Sequence, residues 1–249
     1  MDEGGNQIML PLERQRRIRE LLADREALTV EELCQMLYSS GSTIRRDLQT
    51  MEKAGLIQRT HGGAVLLESA AKDSPAMLRE SENLLPKTRI AELALPLVRD
   101  GTTLFLDSST TACHLAQRLT GFCDLRVITN GLKTAEVLSA LRGVHVYCTG
   151  GRLRENAQSF VGAQTLDFIA HFHANLAFFS CRGAHPTGGI TDSSEEEAEV
   201  KKQYIRFSDR AILLCDRSKL GRQMFCRIGA LSCASQIICD VPLPPEYRS

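Results

Sequence analysis

The sequence predicts an α/β protein in two parts: a small N-terminal winged helix-turn-helix, then a larger α/β domain. Three observations predict it. Ile44, Leu48 and Met51 recur at helical spacing as one apolar stripe, with Thr43, Arg45, Arg46 and Gln49 lying off it. Past residue 87, strand-like and helix-like runs alternate. The strand-like runs end in short polar or glycine clusters, where open parallel sheets bind their ligands.

Length and composition set the bounds. A chain of 249 residues accommodates one large domain, or a small and a medium one. Hydrophobic residues make up 43% and charged residues 24%, an ordinary globular composition. No apolar run approaches the ~20 residues that span a bilayer. The start, Met1 to Asn6, lacks a basic region followed by an apolar one, so no signal peptide and a cytoplasmic location are expected. Nine scattered cysteines form no C-x-x-C pair and mostly sit in apolar runs, which reads as buried, reduced thiols rather than disulfides or a metal site. The formal net charge is +0, so any nucleic-acid binding rests on a local patch.

Residues 1–67 read as the first domain. Glu13 to Ala23 is a helix with Ile18, Leu21 and Leu22 on one face and Arg14, Arg16, Arg17 and Arg19 around the rest, placed to meet a phosphate backbone. Thr29-Val30-Glu31-Glu32 is a capping box opening a second helix with Leu33, Met36 and Leu37 apolar. Tyr38-Ser39-Ser40 is the turn, and Ser40 caps a third helix that Gly55 ends. Leu56 to Arg59 and Ala64 to Leu67 flank a Gly-Gly turn as a hairpin, the wing, which carries Arg59 and His61. Arginine, threonine and glutamine reach phosphates and base edges in a major groove. The candidate DNA-binding residues are therefore Ser40, Ser42, Thr43, Arg45, Arg46, Gln49, Arg59 and His61. Asp47 would repel phosphate and is assigned to an internal ion pair.

Residues 68–86, rich in Ser, Ala, Glu and Asn, read as a linker with one short helix around Met77 to Glu82. Residues 87–249 read as the second domain. Helices are expected over Arg89 to Val98, with Ile90, Leu93, Ala94 and Leu97 inward, and over Cys113 to Leu119, Thr134 to Leu141, Gln164 to Phe172 and Glu195 to Arg206. Strands are expected over Thr102 to Leu106, Leu125 to Thr129, Val144 to Cys148, Leu176 to Phe179, Ala211 to Cys215 and Gln236 to Cys239. Asp107 to Thr111, Asn130, Gly150-Gly151 and Asp216 to Lys219 fall at strand ends and can converge on one crevice.

That crevice suits a phosphorylated polyol. Ser108, Ser109, Thr110 and Thr111 offer four consecutive hydroxyls beside backbone N–H groups where a helix opens. Lys219 adds a point charge, and Asp107 and Asn130 can bond sugar hydroxyls. Taken singly these are a helix cap, a turn and a surface lysine; it is their convergence that argues for a ligand site.

These residues also carry a resemblance. Thr43-Ile-Arg-Arg-Asp-Leu48, Glu52, Gly55-Leu56 and His61-Gly62-Gly63-Ala64 resemble the N-terminal signature of the DeoR family of bacterial transcription regulators. Leu106-Asp-Ser-Ser-Thr-Thr111, Thr129-Asn130, Gly150-Gly151, Ser159 with Gly162, Gly189-Ile-Thr-Asp192, Glu197 to Lys201 and Asp216-Arg-Ser-Lys-Leu-Gly221 are similar to that family's sensor domain. The resemblance implies a domain related in fold to ribose-phosphate isomerases and CoA transferases that senses phosphorylated sugars. Tyr38 and Ser39 stand where the family carries a glycine and an apolar residue, Ser109 replaces the glycine of D-x-G-T-T, and Cys239 replaces a threonine.

The function expected is a ligand-gated repressor of a sugar- or polyol-utilisation operon. Its partners are a double-stranded DNA operator, a phosphorylated sugar and further copies of itself, as dimer or tetramer; no catalytic residue, cofactor, metal or membrane is expected. The alternative is a sugar-phosphate isomerase with an appended DNA-binding domain, for which Asp107, Asp192, Glu197 and Lys219 qualify by type. A purely structural interaction module would leave the polar strand ends unexplained.

Overall fold

A computed structural model describes residues 9–25, 27–53, 56–60, 62–66 and 76–247. Gly55, His61, Leu67 and residues 68–75 of the expected linker lie outside the described residues. The chain divides into two compact units, Met1–Ser81 and Glu82–Ser249.

In the first unit, α1 (Pro11–Asp24) starts on a proline, whose missing N–H costs nothing in a first turn. β1 (Ala27–Thr29) leads into α2 (Val30–Leu37), and the Thr29–Glu32 capping box joins them as expected. The turn residue Tyr38 has φ 49 and ψ 42, a left-handed conformation in which a side chain is strained and glycine is not. α3 (Gly41–Lys53) begins with the Thr43 N–H donating to Ser40 Oγ at 3.3 Å. β2 (Ile57–Thr60) and β3 (Gly63–Leu66) form the expected hairpin, and α4 (Ala76–Ser81) closes the unit. Ile18, Leu22, Leu33, Leu37, Ile44, Leu48, Met51 and Ile57 are buried together, so the apolar stripes of three helices meet in one core.

Two features depart from the sequence reading. The wing is a three-stranded sheet in the order β1-β3-β2, not a two-stranded hairpin. A Cβ at Gly63 would lie 2.2 Å from the Leu28 carbonyl oxygen, so only glycine admits β1 at this distance. Arg14 is also no surface cation. It is buried, donating from Nε to Asp47 Oδ2 at 2.5 Å and from a terminal nitrogen to the Met9 carbonyl at 2.7 Å. Gln15 Nε2 reaches Asp47 Oδ1 at 3.3 Å. The internal partner of Asp47 is thus an arginine 33 residues away on α1, and this ion pair pins the back of α3.

The second unit opens with α5 (Leu84–Ala94), which starts inside the segment read as linker, and a 3-10 turn (Leu95–Leu97). Its inner face is Ile90, Ala91 and Ala94, while Leu93 is exposed, because the helix begins five residues earlier than the sequence pattern suggests and then tightens. β4 (Thr103–Leu106), α6 (Thr110–Ala116), β5 (Leu125–Thr129), α7 (Leu132–Ser139) and β6 (Val144–Cys148) follow as alternating strand and helix. Next come the hairpin β7 (Arg152–Arg154) and β8 (Ser159–Val161), α8 (Ala163–Ala170) and β9 (Ala174–Ser180). After β10 (Gly183–His185) and β11 (Gly189–Asp192), α9 (Glu195–Arg206) leads to β12 (Ser208–Leu214), β13 (Cys226–Gly229) and β14 (Gln236–Ile238).

Six of these strands form one parallel sheet in the order β14-β12-β9-β4-β5-β6. Both faces are covered. Leu104 and Leu106 point into a core shared with Ile90 of α5, Leu115 of α6 and Leu138 of α7, while Phe105 points the other way, onto Ile169 of α8 and Tyr204 of α9. The Phe105 and Tyr204 rings stack at 4.7 Å. β10, β11 and β13 make a separate antiparallel sheet. Cys113, Cys181, Cys215 and Cys239 are buried as expected, but Cys123 and Cys148 are exposed, since the first lies outside any strand and the second ends the edge strand β6. No helix of the described residues is long and apolar enough to cross a membrane.

The Arg14–Asp47 pair yields a prediction. Asp47→Ala leaves a buried guanidinium uncompensated and is expected to lower stability by about 3–5 kcal/mol. Replacing both, Arg14→Met with Asp47→Leu, is expected to recover most of that loss. Urea denaturation followed by circular dichroism checks both, and a loss below about 1 kcal/mol for Asp47→Ala would contradict a buried, mutually dependent pair.

Candidate DNA-reading surface and effector crevice

On α3, Ser42, Arg45, Arg46 and Gln49 are exposed and Thr43 is half-buried, on the side opposite Ile44, Leu48 and Met51. Ser40 Oγ lies 3.0 Å from Ser42 Oγ and 2.8 Å from Thr43 Oγ1, so the hydroxyls at the helix start are already organised. Arg45 and Arg46 make no ion pair among the described residues, and their guanidinium groups face solvent. On the wing, Arg59 is exposed, and its backbone N–H donates to Glu52 Oε1 of α3 at 3.3 Å, which ties wing to helix. His61 lies outside the described residues.

In the second unit, strand register brings the expected ligand residues together. Leu106, Thr129 and Cys148 pair across β4, β5 and β6, so Asp107, Asn130 and Thr149-Gly150 emerge side by side. Ser180 pairs with Leu214, so the turn Asp216 to Lys219 emerges next to them. A Cβ on Gly131 would sit 2.9 Å from Ser108 Cα, which shows how closely the first two loops abut.

The floor of this crevice is internally satisfied. Asp107 is fully buried, and its oxygens accept from the backbone N–H groups of Ser109 at 3.0 Å and Ser180 at 2.9 Å. Asn130 is fully buried too; its amide donates to the Phe160 carbonyl at 3.1 Å and accepts from Tyr204 Oη at 3.3 Å. Both side chains are engaged inside the fold, where the sequence reading had them bond sugar hydroxyls. They shape the loops instead. Ser109 caps α6 through the Ala112 N–H with φ −70, so this position needs no glycine. Thr111 is buried, with no partner for Oγ1 among the described residues. Gly150 and Gly151 both have positive φ, and a Cβ on Gly151 would lie 2.3 Å from Thr165 Oγ1, so this pair is a tight turn.

Beneath the loops lies Lys201, which the sequence reading gave no role of its own. Its ammonium bonds Asp192 and lies 4.0 Å from Asp107. Burial alone would lower the lysine pKa, but Asp192, Asp107 and Glu197 hold it above its ordinary value. Burial raises the Asp107 pKa against the pull of Lys201. Burial would raise Asp192 as well, yet Lys201 holds it below its ordinary value. Glu197, one helical turn from Lys201, accepts from Ser108 Oγ at 3.1 Å, from Arg154 at 3.2 Å and from Ser159 Oγ. The sequence reading had singled out Asp107, Asp192 and Glu197 by type, and Glu197 to Lys201 by resemblance, without bringing them together.

At the rim, Lys219 Nζ donates to Ser180 Oγ at 2.8 Å and faces Asp216 Oδ2 at 3.4 Å. Asp107 and Lys219 therefore meet on one residue, Ser180. Burial would raise the Asp216 pKa, but Lys219 and Ser218 hold it below its ordinary value. Ser108, Ser109 and Thr110 are half-buried beside this corner. An ammonium has three donors, so Lys219 keeps capacity for an anion.

The DeoR-like helix-turn-helix domain matches residues 14–70 and the DeoR C terminal sensor domain matches residues 82–241. The chain belongs to the DeoR family. Among its relatives, an uncharacterized HTH-type transcriptional regulator of Bacillus subtilis, YulB, is 38% identical, covering 95% of this chain and 92% of the relative. The HTH-type transcriptional regulator GolR of Listeria innocua is 39% identical over 86% of this chain and 84% of its own. The glycerol-3-phosphate regulon repressor of Escherichia coli is 31% identical over 95% of this chain and 93% of its own. Ribose 5-phosphate isomerase A of Methanocaldococcus jannaschii aligns with 56% of this chain and 55% of that one, at TM-score 0.41 and 16% identity. DeoR proteins are DNA-binding regulators, and the isomerase alternative is set aside on that ground.

For this DeoR-family chain, Lys201→Met would leave Asp107 and Asp192 buried without their cation. A loss of about 3–5 kcal/mol is expected in urea denaturation of the full chain. A variant as stable as the wild type would show that the three carboxylates do not depend on Lys201.

Proposed function

We propose that the chain represses a sugar- or polyol-utilisation operon and is released from DNA by a phosphorylated sugar or polyol. The observation that carries this reading is the pairing, in one chain, of an unneutralised arginine row on α3 with a crevice whose rim offers Lys219 and the Ser108 to Thr110 hydroxyls. The regulon named for the Escherichia coli relative supports a polyol phosphate as the first effector to test. Gly150, Gly151, Asp107 and Asn130 frame the site, and Thr111 offers an unspent hydroxyl beside it. The chain acts as a homo-oligomer, dimer or tetramer, because one small winged helix covers too little DNA for operator-grade specificity. The segment 68–86 joins the domains and is where their relation changes.

The reading-helix assignment is tested by Arg45→Ala and Arg46→Ala. Loss of a base contact is expected to cost about 1–3 kcal/mol and relax sequence preference, whereas loss of a phosphate contact weakens all sequences alike. Shift titrations on operator and random duplexes separate the two. Unchanged affinity on both duplexes for both variants would sink the assignment.

The effector assignment is tested by calorimetry with glycerol 3-phosphate, ribose 5-phosphate and glucose 6-phosphate, then by operator binding with any that bind. A ligand shifts DNA affinity only through its preference for one conformation. Relief of about 5- to 150-fold is expected, corresponding to a coupling of roughly 1–3 kcal/mol. Lys219→Ala is expected to keep operator binding and lose induction. Equal binding of a phosphosugar to wild type and Lys219→Ala would mean that the site lies elsewhere.

A further inference from the structure

The turn that carries Lys219 also holds the residue by which the chain enters the sensor unit. Asp216 is almost fully buried, and its two oxygens face different ways. Oδ2 faces Lys219 Nζ at 3.4 Å. Oδ1 accepts from the Ser218 N–H at 3.1 Å, from Ser218 Oγ, and from the Asn83 side-chain amide at 3.4 Å. The same amide reaches Ser218 Oγ at 3.2 Å. One carboxylate thus stands between the candidate phosphate-binding lysine and Asn83.

Asn83 is held in an uncommon conformation. It is the residue before α5, with φ 51 and ψ 39, in the left-handed region. Asparagine tolerates that region when its short side chain finds a partner. Here the partners lie across the fold, on the Asp216–Ser218 turn, and Asn83 makes no side-chain cap to its own helix. Its carbonyl accepts the first helical bond of α5, from the Lys87 N–H at 3.0 Å. The neighbouring Glu82 carbonyl accepts from Lys87 Nζ at 2.5 Å. The direction in which the chain leaves α5 toward Ser81 therefore depends on a strained residue held by two long hydrogen bonds. Strain retained by such a hold is the mark of a bistable element.

We infer that Asn83 is the positioning residue that couples the effector crevice to the DNA-binding unit: an anion that draws Lys219 away from Asp216 removes the contact that orients this carboxylate, the carboxylate turns, and the Asn83 amide loses its fixed acceptor at the start of α5. The inference rests on the effector reading above. It explains how an effector at the rim acts without touching DNA, since the element it biases is covalently continuous with the chain that leads to the reading helix.

The test uses the full-length protein in two arms. The first needs no ligand. Hydrogen exchange is measured over residues 84–88 in wild type, Asn83→Gly and Lys219→Ala. Asn83→Gly keeps the left-handed backbone and removes the amide. Both variants are expected to exchange roughly tenfold faster there than wild type, as lost local hydrogen bonds open the first turn. Wild-type protection in Lys219→Ala overturns the link between Lys219 and Asn83.

The second arm measures coupling. Glycerol 3-phosphate, ribose 5-phosphate and glucose 6-phosphate are titrated calorimetrically into wild type, Asn83→Gly and Asn83→Ala. Operator affinity, on a duplex selected from random sequence, is then measured with and without the ligand that binds. Both variants are expected to bind operator and ligand within about threefold of wild type, while the ratio of operator affinities without and with ligand falls from about 5- to 150-fold toward one, as the coupling of roughly 1–3 kcal/mol is lost. A ratio as large as that of wild type overturns the coupling and leaves the effector reading standing. A wild type that binds none of the three sugar phosphates overturns the effector reading and the coupling with it.

Discussion

The sensor unit is organised around one buried charge. The Lys201 ammonium lies among Asp192, Asp107 and Glu197, and these residues come from three elements: the end of β11, the loop after β4, and two successive turns of α9. Burying an ion costs several kcal/mol, and only near-complete pairing offsets it. The arrangement tolerates little displacement, so the elements that supply the partners are held in one relation. From Asp107 the network passes through backbone N–H groups to Ser109 and Ser180, and from Glu197 to Ser108, Ser159 and Arg154. The loops after β4 and β9 and the β7–β8 hairpin answer in this way to the same cation.

This arrangement splits the crevice into a floor and a rim. The floor residues, Asp107, Asn130, Tyr204 and Lys201, spend their polar atoms on one another or on backbone groups, and a ligand gains nothing from them unless it breaks those bonds. The rim residues keep spare capacity: Lys219 with an unspent donor, and Ser109 and Thr110 half-open. Fixing the floor and leaving the rim adaptable is how a site can be preorganised and still selective. In the DNA-binding unit the Arg14–Asp47 pair does the same service, since it fixes the back of α3 and keeps a carboxylate off the exposed face that carries Arg45 and Arg46.

Much of this was legible in the sequence, for identifiable reasons. Leu104-Phe105-Leu106 is apolar throughout because both faces of its strand are covered, and α9 was read correctly from Glu195 to Arg206 because Ser194 caps it and its pattern is periodic. The strands that were missed, β1, β7, β8, β10, β11 and β13, have three or four residues each, too few for a period to register. They exist because a partner is present, as Gly63 shows by admitting Leu28. The reading of Arg14 failed for a related reason: a helix face says whether a residue is polar, but not whether an aspartate 33 residues away will bury it. Asp107 and Asn130 were placed correctly at strand ends, yet the direction of their polar atoms was set by Ser180 and Tyr204, 73 and 74 residues further on. Position along the chain located the crevice, whereas the division into floor and rim depended on tertiary partners.

The strand order of the sensor sheet bears on how the protein is made. β4 lies between β5 and β9, and its contacts with β9 join residues as far apart as Thr103 and Asn175, 72 positions along the chain. β9 in turn pairs with β12, so the middle of the sheet stays open along one edge until its C-terminal half has left the ribosome. Parallel pairings of this separation close large loops before any contact rewards them, and they form slowly. The helix-turn-helix unit closes over short separations and emerges first, so it can fold while the sensor domain is still incomplete. During synthesis, the first unit has all its strands and helices before the sheet of the second can close.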